Sequence, residues 1–169
     1  TLLERNTKRA IAEYVVEAAR DILSLPMVMV RYYDEEAGGL APVATSEQTR
    51  DVFDDRPVFT PDGRSLNWDV YETGEERVYD DISDIDRAVD PDTPLRSLMI
   101  FPLGTHGTVS VGSTEPVAFD ESDVFLTGIL TTSVAALLAR IDQKEELTDH
   151  RNRLEQQNER LENFTSIVS

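Results

Sequence analysis

The chain has no cysteine. That excludes disulfides, thiolate catalysis, Cys-ligated zinc and any chromophore held through a thioether. Lysine is nearly missing: Lys8 and Lys144 are the only two, and the other basic residues are arginine. Against 16 basic residues stand 33 acidic ones, a formal net charge of -17. Such an imbalance disfavours nucleic acid, whose phosphates need a cationic footprint. No uninterrupted apolar run approaches the ~20 residues that span a bilayer, and no signal-peptide pattern opens the chain. A cytoplasmic setting without a membrane segment is the expectation. The first residue is Thr1 and the last seventeen, Arg153 to Ser169, are helix-like to the end. Both ends therefore read as cuts in a longer protein.

Excess negative charge destabilises a compact chain by self-repulsion. Salt relieves this, because the Debye length falls from about 10 Å at 0.1 M to about 3 Å at 1 M. This acidic, lysine-poor composition resembles that of proteins from salt-accumulating haloarchaea.

What is present organises cleanly. Ile11, Tyr14, Val15, Ala18, Ile22 and Leu23 recur at helical spacing and predict an amphipathic first helix, with Pro26 just beyond its end. MVMVRYY, Met27 to Tyr33, is apolar, branched and aromatic, and predicts a buried strand. LAPVAT, Leu40 to Thr45, predicts a second strand, in which Pro42 marks an edge or a bulge. SEQTRDVF suggests a short helix. Ser65 is placed to cap LNWDVYET, and Gly74 to end it. EERVYD, Glu75 to Asp80, predicts a third strand, followed by an acidic connection from Asp81 to Pro94 with room for one helical turn. SLMIFPL and TVSVGS, joined by GTHG, predict a hairpin.

From Asp120 onward nothing interrupts a final helix. Val124, Phe125, Ile129, Leu130, Val134, Leu137, Leu138 and Ile141 predict a wide stripe packed on the domain. Beyond them Leu147, Leu154, Leu161 and Val168 repeat every seven residues, with Phe164 between the last two. This is the pattern of a coiled-coil seam. Its alternate positions hold polar residues such as His150 and Gln157, so the seam should be weak and adjustable in register.

Several motifs admit two readings. Trp68, the only tryptophan, serves either core packing or the wall of a cofactor box, and Tyr71 shares its helix. Asp80, Asp81, Asp84, Asp86, Asp90 and Asp92 crowd one loop, but their spacing does not match a calcium loop, and a solvated acidic loop accounts for them. His106 and His150 have no second ligand at metal spacing, so no metal site is expected. No GxSxG elbow, GxxxxGK loop or GxGxxG motif is found, so no catalytic residues are nominated.

The ordered set LNWDVYETGEERVYDDI, LRSLMIFPLGTHGTVSVGS and FDESDVFLTGILTTSVAALLARID resembles the middle helix and strand, central hairpin and closing helix of the GAF domain family. QNERLENFTSIVS is similar to the segment just before the phosphoacceptor histidine of haloarchaeal sensor histidine kinases. The resemblance implies an α+β fold. A central antiparallel sheet would carry the N- and C-terminal helices on one face, and the last helix would extend as a coiled coil. It implies a sensory domain over 1–141 and a signalling linker over 142–169, stopping before the phosphoacceptor. It implies a ligand cleft with Trp68, Tyr71, Tyr79, Asp81, Ser97 and Phe101 as candidate ligand-binding residues. The implied partners are a second copy, through Leu147, Leu154, Leu161, Phe164 and Val168, and an unknown small molecule. No cofactor is identifiable: bilin attachment in this family uses cysteine, and the Asn-Lys-Phe-Asp-Glu signature of its cyclic-nucleotide binders is not found. The chain itself is expected not to be an enzyme, although its parent would be an ATP-dependent histidine kinase. A ligand-free dimerisation spacer and the GAF part of a transcription regulator are the rival expectations.

Overall fold

A computed structural model describes residues 1–85 and 92–168. Asp86 and Asp90 of the acidic connection lie outside the described residues, as do the side chains of Asp84 and Val168. The chain divides into two compact units, Thr1–Ala136 and Leu137–Ser169.

The first unit is built on one antiparallel sheet. Helix α1 (Leu2–Asp21) leads into β1 (Val28–Asp34) and β2 (Gly39–Thr45). Two short helices follow, α2 (Glu47–Val52) and α3 (Leu66–Thr73), then β3 (Arg77–Tyr79). The hairpin β4 (Ser97–Pro102) and β5 (Gly107–Ser113) precedes α4 (Glu121–Val168). The strand order is β2-β1-β5-β4-β3, with every neighbouring pair antiparallel. β2 is thus an edge strand, and its register with β1 slips between Val30 and Arg31, opposite Pro42. A residue with no amide hydrogen is tolerated at such an edge bulge. The acidic connection does hold one helical turn, Ile82–Asp84, while β3 is shorter than the six residues expected for it.

Side chains alternate across the strands, so one cross-strand row decides a whole face. Val30, Val109 and Phe101 stand in one row and are each at most 1% exposed. They face the two long helices: the Tyr32 hydroxyl donates to the Lys8 carbonyl of α1 at 2.8 Å, and a Cβ at Gly128 of α4 would lie 3.7 Å from the Phe101 ring. Arg31, Thr108 and Pro102 form the next row and face the other way.

The helices bury Val15, Ala18 and Val134 of the predicted stripes but turn other predicted residues outward. In α1 the buried residues are Ala12, Val15, Val16, Ala18 and Ala19, whereas Tyr14 and Ile22 are exposed. Small side chains let the helix lie close to the strands. Within the first unit, α4 buries Thr127, Thr131 and Val134, and leaves Phe125 at 67%, Leu126 at 45% and Ile129 at 50% exposed. This segment is apolar on almost every side, so periodicity alone could not pick the inner face. An 18-residue window of α4 has a mean hydropathy of 1.8. By length and composition alone it would suffice for a membrane crossing, although no single apolar run is that long. In the second unit Leu147, Leu154, Leu161 and Phe164 are all exposed.

Candidate functional site

The face opposite the two long helices carries the cavity. Its lid is α3, whose start and stop are fixed locally. The Ser65 hydroxyl accepts from the Trp68 amide at 3.0 Å, and Gly74 closes the helix with φ 70°. That conformation costs a glycine little. The helix turns Leu66 and Val70 onto Ile82, Leu98 and Ile100, with Tyr79, Ile85 and Leu95 packed around them. Asn67 sits on the same buried side. Its Oδ1 accepts from the Thr108 hydroxyl at 2.8 Å and from the Ser110 hydroxyl at 2.7 Å, fastening α3 to β5.

Next to Thr108 in the β1–β5 register stands Arg31. It is 5% exposed. Its guanidinium carbon lies 4.1 Å from the centre of the Phe59 ring, a cation–π contact. Its Nε has no hydrogen-bond partner, and no carboxylate among the described residues comes within ion-pair distance of it. Burial pulls the guanidinium down to about 10, which still leaves it charged at neutral pH.

Phe59 is held over Arg31 by the backbone. Leu40 and Phe59 exchange amide-to-carbonyl hydrogen bonds at 2.9 and 3.0 Å. The neighbouring Gly39 makes the approach possible, since a Cβ there would lie 2.3 Å from the Phe59 carbonyl oxygen. Between this segment, α3 and the sheet lies a cavity of about 530 Å³. Its wall includes Met29, Arg31, Phe59, Asn67, Leu98 and Ser110, and also Asp54, Asp55 and Asp92, which are exposed. The volume suits a small organic molecule. A second, more open groove of about 700 Å³ lies between β3 and α4, beside Val78, Phe125 and Ile129.

None of the six ligand-binding candidates nominated from sequence lines the 530 Å³ cavity. Trp68 and Tyr71 join Tyr33 in an aromatic trio outside it: the rings of Tyr33 and Tyr71 stack at 5.7 Å, and Trp68 lies 5.2 Å from Tyr71. The Tyr71 hydroxyl donates to the Thr105 carbonyl at 3.1 Å, and burial raises its pKa. Tyr79 packs on the cluster under α3. Asp81 caps the Ile82–Asp84 turn, accepting from the Ser83 hydroxyl and amide at 2.6 and 3.0 Å, and these bonds lower its pKa. Ser97 is buried and ties the chain end after β5, accepting from the Ala118 amide at 3.0 Å. Phe101 belongs to the opposite face.

Arg31, Asn67 and Phe59 were not singled out from sequence. A signal existed for one of them: Arg31 is the lone charge inside the apolar run MVMVRYY. A charge there must find a partner, a ring or a cavity.

The sequence pattern described as the GAF domain matches residues 6–139. The fold is similar to the blue-light-absorbing form of the PixJ GAF domain of Thermosynechococcus elongatus, with a TM-score of 0.68, 19% identity, and coverage of 90% of this chain and 97% of that one. It is also similar to residues 122 to 287 of a methyl-accepting chemotaxis protein, with a TM-score of 0.65, 17% identity, and coverage of 80% and 91%. The GAF domain of a phosphoenolpyruvate-protein phosphotransferase from Coxiella burnetii gives a TM-score of 0.64, 19% identity, and coverage of 82% and 86%. No curated protein matches the chain significantly.

Proposed function

This chain belongs to the GAF domain family, and on that premise we propose that it is the cytoplasmic sensory input domain of a two-component histidine kinase. The cavity under α3 takes a small molecule, and α4 carries the result to the kinase as a parallel dimeric helix. The observation that supports this most is α4 itself. It runs unbroken for 48 residues, beginning on the sheet and continuing through the heptad leucines. Its outward face in the first unit is apolar at Phe125, Leu126 and Ile129, and Leu147, Leu154 and Leu161 are exposed in the single chain. Exposed apolar stripes of this kind mark association surfaces. Packing them against a second copy would bury them, while the polar alternate positions keep the seam weak enough to shift.

A ligand biases such an element only through its different affinities for the two arrangements. This chain has no cysteine of its own to compete with introduced ones. Single cysteines at 147, 154 and 161 in the parent kinase should each form a symmetric cross-link, with yields that change when the cavity is filled. Failure of all three to cross-link would sink the dimeric transmitter. The acidic surface suits a salt-rich interior, so the melting temperature should rise between about 0.1 and about 2 M KCl; an unchanged melt removes the halophilic part of the proposal.

A further inference from the structure

Resting on the sensory reading above, we infer that the cavity beneath α3 is a binding site for a small organic monoanion, a carboxylate with an apolar body, held by Arg31. A buried cation without a counter-charge is costly unless something supplies one. Arg31 is buried and lines the cavity, and its Nε has no hydrogen-bond partner. The Phe59 ring covers it but offers no lone pair. A planar guanidinium matches a carboxylate through two parallel hydrogen bonds.

The rest of the wall fits the same ligand. Asn67 accepts both hydroxyls through Oδ1, which leaves its amide N–H to donate. Met29, Phe59 and Leu98 supply apolar surface for the body of the molecule. Among the described residues Arg31 is the only basic member of the wall, and Asp54, Asp55 and Asp92 belong to it too. A single cation among three acids favours one negative charge over the two of a phosphate monoester. The same acids, together with the net charge of -17, slow the entry of any anion, so only a molecule that also gains from apolar burial competes with bulk salt.

The test uses the purified chain at constant KCl, with Trp68 fluorescence and the melting temperature as readouts. The probes are benzoate, phenylacetate and valerate, each paired with its neutral amide, and inorganic phosphate. At least one carboxylate should titrate to saturation where its amide and phosphate do not. Arg31→Met should weaken that binding on the order of tenfold or more, and Arg31→Lys by less. Asn67→Asp, which places a fixed carboxylate in the same cavity, should abolish it. Circular dichroism melts of each variant establish that it is folded. If no carboxylate saturates, if amides bind as well as acids, or if folded Arg31→Met binds unchanged, the anion site is overturned. A spin label at position 154 separates this from the sensory reading. Carboxylate binding that leaves the distance between protomers unchanged sinks transmission and leaves the anion site standing. Amide binding that moves it does the reverse.

Discussion

The two faces of the one sheet have opposite characters. Val28, Val30, Met99, Phe101, Val109 and Val111 point toward α1 and α4, and none is more than 1% exposed. One residue further along the same strands, Arg31, Thr108 and Ser110 point toward α3 and a cavity. Strand periodicity permits this division, because neighbouring residues share a backbone but no environment. The dry face contributes stability through burial. The α3 face is held by the apolar cluster around Leu98 and Ile100 together with a few directed hydrogen bonds, and it keeps an open volume. A mutation on the first face should therefore act through lost packing, and one at Asn67, where the hydrogen bonds converge, through lost partners.

The largest effect belongs to the dry face. Phe101→Ala should cost about 3–5 kcal/mol of unfolding free energy, measured by denaturant titration, because it opens a void beside Gly128. A loss below about 1 kcal/mol would show that this face is not the stabilising one. On the polar face, Asn67→Leu removes the shared acceptor of Thr108 and Ser110. It should cost about 1–3 kcal/mol despite adding apolar volume. A neutral or stabilising result would erase the contrast.

Two polar residues on the dry side sharpen it. Thr127 of α4 is 1% exposed, and its hydroxyl has no partner. Thr127→Val should therefore stabilise by about 1 kcal/mol, and a destabilised variant would reveal a hidden bond. Tyr32 is the subtlest case. Burial raises its phenol to about 12, against 10.0 for a free tyrosine. The folded state then holds the proton more tightly than the unfolded one. This contribution is fully present below pH 10 and is lost as pH rises through 12. Tyr32→Phe should flatten the alkaline limb of the stability curve between those values, and an unchanged slope would show that another group governs it. Arg31, lowered to about 10, has the opposite sign: the unfolded chain binds the proton more tightly, so its contribution grows as pH rises above 10.

The fold was legible wherever a local rule sufficed. Ser65 and Gly74 bracket α3 because a cap hydroxyl and a left-handed stop are local chemistry. The GTHG turn fixed the hairpin for the same reason. The inner face of α4 was not legible, because threonine faces the sheet while phenylalanine faces out, and a helix apolar all round has no preferred side. The site was lost to parity and to angle. Phe101 is one residue from Ile100 and so lies on the wrong face. Trp68 is one residue from Asn67 and so turns about 100° away around the helix. Composition drew attention to the rare tryptophan, but the cavity is made by an asparagine and an arginine that composition does not flag.

The pairing of Phe59 with Leu40 has a kinetic consequence. The same segment shields the outer edge of β2 and covers the Arg31 cavity. Any lifting of it bares an unpaired strand edge at the same moment. The Leu40 amide should therefore exchange with solvent at the tempo at which this segment lifts. A bound molecule that keeps the segment seated would slow that exchange and, with it, the chain's tendency to pair edge to edge with its neighbours.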